Sequence, residues 1–518
     1  MKPKYQILHN AIFNTLSWVF SIVINFAFLP YIVHKLGAEA YGVLVLILSI
    51  IGYFAIMDLN LGQAIIKYVA EYNGKNKKKK VNEIIRVTIF LYLILGLAGS
   101  LIIFSLSHII VDQFLKIRPE MLPDAHFATS IGAAGFLFTM LLSALSAILK
   151  GLNRYDITSK ITIIMNIINT ISSVILLYAG FGLRELIMLN VSISLFSMII
   201  YIIIGKRLLP GLKLTPAFNL FAFKKVFNFA IFSSLSRISE VFKFQGERLL
   251  VGAALGVSGV TYYVVPSSLV RKVMTFTSHL GSVILPVVSN LQGKEDYDAV
   301  IALYLKSSKL IAVIATSTCL PLILFGNQLL GLWMGIEFQE KTGMVMLLLT
   351  LSFYMDAFTN VPAIVVNGLG RPKITGLFAL ANAIINLTLI YPLAKIMGIN
   401  GIAIAFFVSN IGIAPVFIFY ANNKVLGFPL SALIKKAYLL PIVSAFLTAM
   451  LLLFFCRYEI RNFFELLCIM ITTTILYIVI SSIIGVFSSE EKSQCIDYLR
   501  SILGGTIQRF SIKGLGKK

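Results

Sequence analysis

SRISEVFKFQGER, Ser236 to Arg248, carries five charged side chains, whereas other stretches of about twenty residues in the same chain carry none. Whether this segment crosses a membrane decides the architecture. Of the 518 residues, 58% are apolar and 13% are charged, and the mean hydropathy is +0.90. A water-soluble chain cannot hide that much hydrocarbon, so the composition implies an integral membrane protein. The net charge of +22 comes in short basic clusters between apolar runs. Such clusters orient a chain in a bilayer, and no nucleic-acid partner is expected.

Cys319, Cys456, Cys468 and Cys495 have neither paired nor metal-type spacing, and His9, His34, His108, His126 and His279 are scattered without an HExxH pattern. No disulfide, metal site or enzymatic activity is expected from them. The apolar stretch from Leu8 to Val33 is long enough to span rather than to serve as a cleaved leader.

Apolar runs of spanning length fall near residues 8–33, 41–66, 84–110, 125–149, 158–180 and 185–205. A second six follow near 227–254, 259–288, 300–325, 342–366, 374–397 and 401–420, and a final pair near 438–456 and 463–487. The expectation is an all-α membrane protein of about fourteen transmembrane helices. It comprises an N-terminal lobe (1–212), a C-terminal lobe (213–430), two appended helices (431–487) and a cytoplasmic tail (488–518). With the N-terminus inside, the lysine-rich loops, among them Lys75 and Lys77 to Lys80, face the cytoplasm and the basic bias is roughly three to one inward. Both termini are then cytoplasmic.

The halves also resemble each other. LGAEAYGVLVLILS from Leu36 aligns with LGVSGVTYYVVPSS from Leu255, and the register continues to Lys75 and Lys294 with ten of forty positions identical. KGLNRYDI at Lys150 likewise matches NGLGRPKI at Asn367, each followed by IIN. Two parallel six-helix repeats follow. If Ser236–Arg248 did not cross, the two matching basic loops would fall on opposite faces and expose Arg371, Lys373, Lys435 and Lys436 outside. The segment therefore spans.

A charge at the bilayer centre costs about 2.5–3.5 kcal/mol and an apolar residue returns only about 0.3–0.6, so these charges must avoid lipid. At helical spacing Arg237, Glu240, Lys243, Glu247 and Arg248 share one face with Ser236. The next helix adds Arg271, Lys272 and Ser278, with Arg271 the stronger candidate because adjacent residues point apart. Arg237, Lys243, Arg248, Arg271 and Lys272 form a candidate cationic cavity for a phosphate or pyrophosphate headgroup. Asn14, Asn25, Ser236 and Ser278 are candidate polar lining, and Asp58, Glu240, Glu247 and Asp356 are candidates for proton or sodium coupling. Structural ion pairs at helical spacing, Glu240 with Lys243 and Lys243 with Glu247, are the competing reading. Lys306 and Lys309 read equally as interfacial snorkelling residues. No P-loop is present and no cofactor is expected.

LGAEAYGVLVLILSIIGYFAIMDLNLGQAIIKYVAEY with its following basic loop, LLGLWMGIEF at Leu329 and NGLGRPKITG at Asn367 resemble bacterial polysaccharide flippases of the O-antigen type. These belong to the multidrug/oligosaccharidyl-lipid/polysaccharide exporter superfamily. The resemblance implies two lobes around a central cavity in the inner membrane. It also implies alternating-access transfer of a polyprenyl-pyrophosphate-linked oligosaccharide to the outer leaflet for surface polysaccharide export. Membrane lipids, and a polysaccharide polymerase or assembly machinery, are the partners it implies. An ion-coupled multidrug or cation antiporter, and a lipid II or teichoic-acid precursor flippase, are alternatives of the same architecture. The tail stretch CIDYLRSILGGTIQRF reads as an amphipathic segment along the inner leaflet.

Overall fold

The computed structural model describes residues 3–109, 111–112, 117–281, 284–455 and 460–493. Side chains are described over the same residues apart from 3–22, 455 and a set of positions between 229 and 286. Asn14, Ser236, Arg237, Glu240 and Ser278 fall among the side chains outside this description, and so does nearly all of the tail.

With no water in hydrocarbon to satisfy backbone groups, apolar runs of this length close their hydrogen bonds as helices. The order is α1 (Pro3–Phe54), α2 (Leu61–Gly74), α3 (Lys78–Ile109), α4 (Leu122–Gly151), α5 (Tyr155–Tyr178), α6 (Leu183–Leu208), α7 (Leu220–Val241) and α8 (Glu247–Gly281). It continues with α9 (Ile284–Gly293), α10 (Tyr297–Met334), α11 (Ile336–Gly368), α12 (Pro372–Tyr420), α13 (Leu430–Leu433), α14 (Leu439–Phe455) and α15 (Phe463–Ile483). Among the described residues eleven helical segments are long and apolar enough to cross a membrane. Three of them contain a glycine with non-helical backbone, Gly37, Gly256 and Gly398, at which the helix turns. A total of fourteen crossings requires each of those three to count twice. Ile396, Phe454, Phe464 and Ile483 are each at least 75% exposed, as lipid-facing side chains are.

Packing gathers the chain into two compact units. One comprises Met1–Lys272, Trp333–Ser352 and Pro372–Ile413, and the other Val273–Leu332, Phe353–Arg371 and Ala414–Lys518. In the second unit Tyr304, Phe358, Val365 and Tyr438 form a buried core, and Asn422 Nδ2 donates to Tyr304 Oη at 3.0 Å. Lys309, one of the two candidate snorkelling residues, pairs with Glu491 at 2.7 Å.

The duplication is visible in the backbone. Left-handed φ occurs at Gly37 and Gly256, at Asn76 and Glu295, and at Asn153 and Gly370, each pair equivalent in the sequence repeat. The capping bonds repeat as well. Asn76 N donates to Asn73 O and Lys77 N to Tyr72 O, while Glu295 N donates to Gln292 O and Asp296 N to Leu291 O, all at 2.9–3.1 Å. A Cβ on Gly151 would meet Val69 in one unit, and a Cβ on Gly368 would meet Val288, the equivalent valine, in the other.

Within the first unit the hinge of α1 packs against the hinge of α8 in a two-fold pattern. Gly42 approaches the carbonyl of Val257 so closely that a Cβ there would overlap it. In the equivalent place Thr261 donates its hydroxyl to the carbonyl of Ala38 at 2.5 Å. Leu46 lies against Gly252, and the equivalent Val265 shares a buried cluster with Val33. Parallel repeats related by an axis along the membrane normal give this reciprocity.

Gly42→Val should therefore lower the unfolding temperature in detergent, by an amount corresponding to about 1–3 kcal/mol of overpacking. Gly412→Ala, where the added carbon meets nothing within 4 Å, should not.

Candidate functional site

Between α7 and α8 the backbone widens into a π-turn, Phe242–Gly246. Such turns insert a residue into the helical ladder and are frequent at functional sites. The constant helical spacing assumed from sequence does not hold across it, and Lys243, Glu247 and Arg248 are redirected accordingly. Glu247 is wholly buried. It accepts the hydroxyl hydrogen of Tyr263, and its Oε2 lies 3.7 Å from the Arg271 guanidinium. Lys243 is not its direct partner, although Lys243 and Arg248 both act on it electrostatically.

Arg271 donates to Ser267 Oγ at 3.3 Å and its guanidinium stands 4.0 Å from the centre of the Phe244 ring. Lys243 Nζ lies 5.0 Å from the centre of the Phe406 ring. Arg248 faces Glu247, Arg271, Tyr41 and Tyr263, and its Nε is buried with no hydrogen-bond partner among the described residues. Among the described residues three cations therefore stand around one carboxylate beside aromatic rings, an arrangement whose chemistry suits an anion.

Of the residues singled out from sequence, Lys243, Glu247, Arg248 and Arg271 are brought together. Lys272 is half-buried and takes no part in these ion pairs, and Asn25 is exposed. Tyr263, Phe244 and Phe406 were not foreseen. Tyr263 sits sixteen residues beyond its carboxylate partner, a separation with no sequence signature.

Asp58 occupies a second polar place in the same unit. Sequence places it inside a helix, but the helix breaks into a tight turn, Ala55–Asp58, followed by left-handed Leu59 and Asn60. Tyr92 donates its hydroxyl to Asp58. The carboxylate lines a cavity of 370 Å³ with Gly52, Thr139, Ser143, Asn190 and Ser194. Asp356 lies half-buried on α11 in the other unit, where its backbone carbonyl accepts the Thr359 hydroxyl.

At the end opposite the lysine-rich loops, Arg118 pairs with Glu39 at 2.9 Å. Nearby Lys341 binds Glu337 at 2.7 Å and Tyr262 at 3.2 Å, and Tyr262 donates to Glu337. These groups and Ala38 to Ala40 line a cavity of 490 Å³ beside the two hinges.

The same fold is found in solved membrane transporters. One is an inward-facing multidrug resistance MATE family transporter of the MOP superfamily, matched over 82% of this chain and 99% of its own at 16% identity with a TM-score of 0.69. Another is the lipid II flippase MurJ in an inward closed conformation, matched over 92% of this chain and 99% of its own at 15% identity with a TM-score of 0.69. The class these likenesses define is one of fold: an all-helical, multi-pass fold shared with membrane transporters.

Within that class, residues 35–342 match the family described as polysaccharide biosynthesis protein, and the chain belongs to it. A Shigella flexneri protein named "Putative O-antigen transporter" is 24% identical over 409 residues, which are 77% of this chain and 94% of that protein. An "Uncharacterized membrane protein EpsK" of Bacillus subtilis is 23% identical over 337 residues, 63% of this chain and 65% of its own.

Removing one member of a buried ion pair costs about 3–5 kcal/mol. Glu247→Ala should destabilise the protein on that scale in thermal unfolding, and Glu247→Ala with Arg271→Met should recover part of the loss.

Proposed function

We propose that the protein is a flippase that carries a polyprenyl-pyrophosphate-linked oligosaccharide from the cytoplasmic to the outer leaflet of the cell inner membrane. The observation that carries this reading is the cationic cluster of Lys243, Arg248 and Arg271 around buried Glu247. Free water would screen such a cluster, but inside a membrane protein it holds a strong, fixed field. A pyrophosphate offers negative charge complementary to these cations, and a guanidinium binds phosphate oxygens in a planar fork. The relative named for O-antigen transport supports a glycan-bearing substrate.

In this reading the lobes 1–212 and 213–430, related by an axis along the membrane normal, rock against each other for alternating access. The contact of Gly42 with Val257 and of Thr261 with Ala38 parts when the substrate leaves. Arg118, Glu39, Tyr262, Glu337 and Lys341 are the polar part of the same closure. Both chain ends lie in the cytoplasm, and polymerase or assembly machinery receives the product.

In vesicles carrying a fluorescent polyprenyl-pyrophosphate oligosaccharide, Arg271→Ala should slow leaflet transfer at least ~10-fold, equivalent to about 1.4 kcal/mol of lost anion binding. Lys272→Ala should change it little. Export of cationic dyes in place of lipid transfer would favour the antiporter instead, and transfer restricted to lipid II or teichoic-acid precursors would redirect the substrate assignment.

Asp58, at a broken helix and facing a cavity, is the coupling residue in this proposal, because unwound helices and membrane carboxylates bind protons or sodium ions. Transfer by Asp58→Asn should no longer respond to an imposed proton or sodium gradient, while wild type does.

A further inference from the structure

Away from the cationic cluster, the end of α3 and the start of α4 bring two imidazoles onto one carboxylate. Asp112 Oδ1 lies 2.7 Å from His126 Nε2, and its Oδ2 lies 3.8 Å from His108 Nδ1. The two imidazole rings pack with centres 4.6 Å apart. One ligand atom from each of the three residues falls within 4.8 Å of the others. The neighbouring carboxylate of Asp124 is engaged with Arg184 at 2.6 Å, so Asp112 serves both rings.

We infer that His108, Asp112 and His126 form a binding site for a divalent transition-metal ion of the zinc type. Two imidazole nitrogens and a carboxylate oxygen are a common donor set for zinc, leaving a fourth position to water. Bonds of about 2.0–2.1 Å in a tetrahedron place donors about 3.3 Å apart. The three ligand atoms lie within 4.8 Å of one another, and side-chain rotamer adjustments bring them to that separation around one ion.

Bound there, the ion ties the last turn of α3 to the first turn of α4, across a connection at the end opposite the lysine-rich loops. The Nδ1 of His126 is buried without an acceptor among the described residues. High-affinity zinc sites have a carbonyl or carboxylate in that place. The expected affinity is therefore micromolar rather than nanomolar.

The test uses full-length protein in detergent, purified without an oligohistidine tag and titrated calorimetrically with Zn²⁺. One ion per chain is expected. His108→Ala, His126→Ala and Asp112→Asn should each weaken binding at least ~10-fold. His34→Ala, which removes an exposed imidazole elsewhere that contacts the Pro30 carbonyl, should leave it unchanged. Zn²⁺ should also raise the unfolding temperature of wild type and not that of His126→Ala. Wild type loaded with Co²⁺ should show a visible absorption band that Zn²⁺ displaces, a readout that stands even where a variant fails to fold. Absence of stoichiometric Zn²⁺ and Co²⁺ uptake by wild type overturns the assignment. So does undiminished binding by a folded protein carrying both His108→Ala and His126→Ala. Lipid transfer plays no part in these readouts, so they stand apart from the transport reading.

Discussion

Hydrocarbon offers no hydrogen bonds, and every other feature of this chain is arranged around that lack. Backbone groups must be satisfied within the protein, so the chain is helical almost wherever it is described and departs from regular helix at few places. Those departures position the polar groups of its interior. Glycines with left-handed backbone turn the long helices. A π-turn aims Lys243 and Glu247, and a broken helix releases Asp58 into a cavity.

The same constraint governs the charges. A buried carboxylate alone would be intolerable, and three half-buried cations alone would be costly. Glu247 makes the cluster of Lys243, Arg248 and Arg271 compatible with the interior. Aromatic faces from Phe244 and Phe406 shield the cations without cancelling them.

Much of the fold was legible because its signals are periodic and repeated. Apolar length located the helices, and Gly37 with Gly256 and the two basic loops at Lys150 and Asn367 revealed the duplication. The crossing of Ser236–Arg248 could be argued from the side on which its equivalents must fall, and the structure runs helix α7, the π-turn and α8 through it. The site was legible only in part. Residue type pointed to Arg271 and Arg248, yet a constant 100° per residue conceals a π-turn, and no spacing rule links Glu247 to Tyr263 or Lys243 to Phe406. Asp58 was recognised as a membrane carboxylate, but the helix break that exposes it depends on two consecutive left-handed residues, Leu59 and Asn60, neither a glycine. His108 and His126 looked scattered because eighteen residues separate them along the chain, and only the turn between α3 and α4 makes them neighbours.

The hinge contact also records how the two halves have diverged. Positions 42 and 261 are equivalent, yet one is a bare glycine against a carbonyl and the other a threonine bonded to one. A pair of identical half-proteins would have to make both contacts alike, either both bare or both bonded. Joining the halves in one chain freed each side to evolve separately. The two halves are consequently no longer interchangeable, and neither one, paired with a copy of itself, would rebuild this contact.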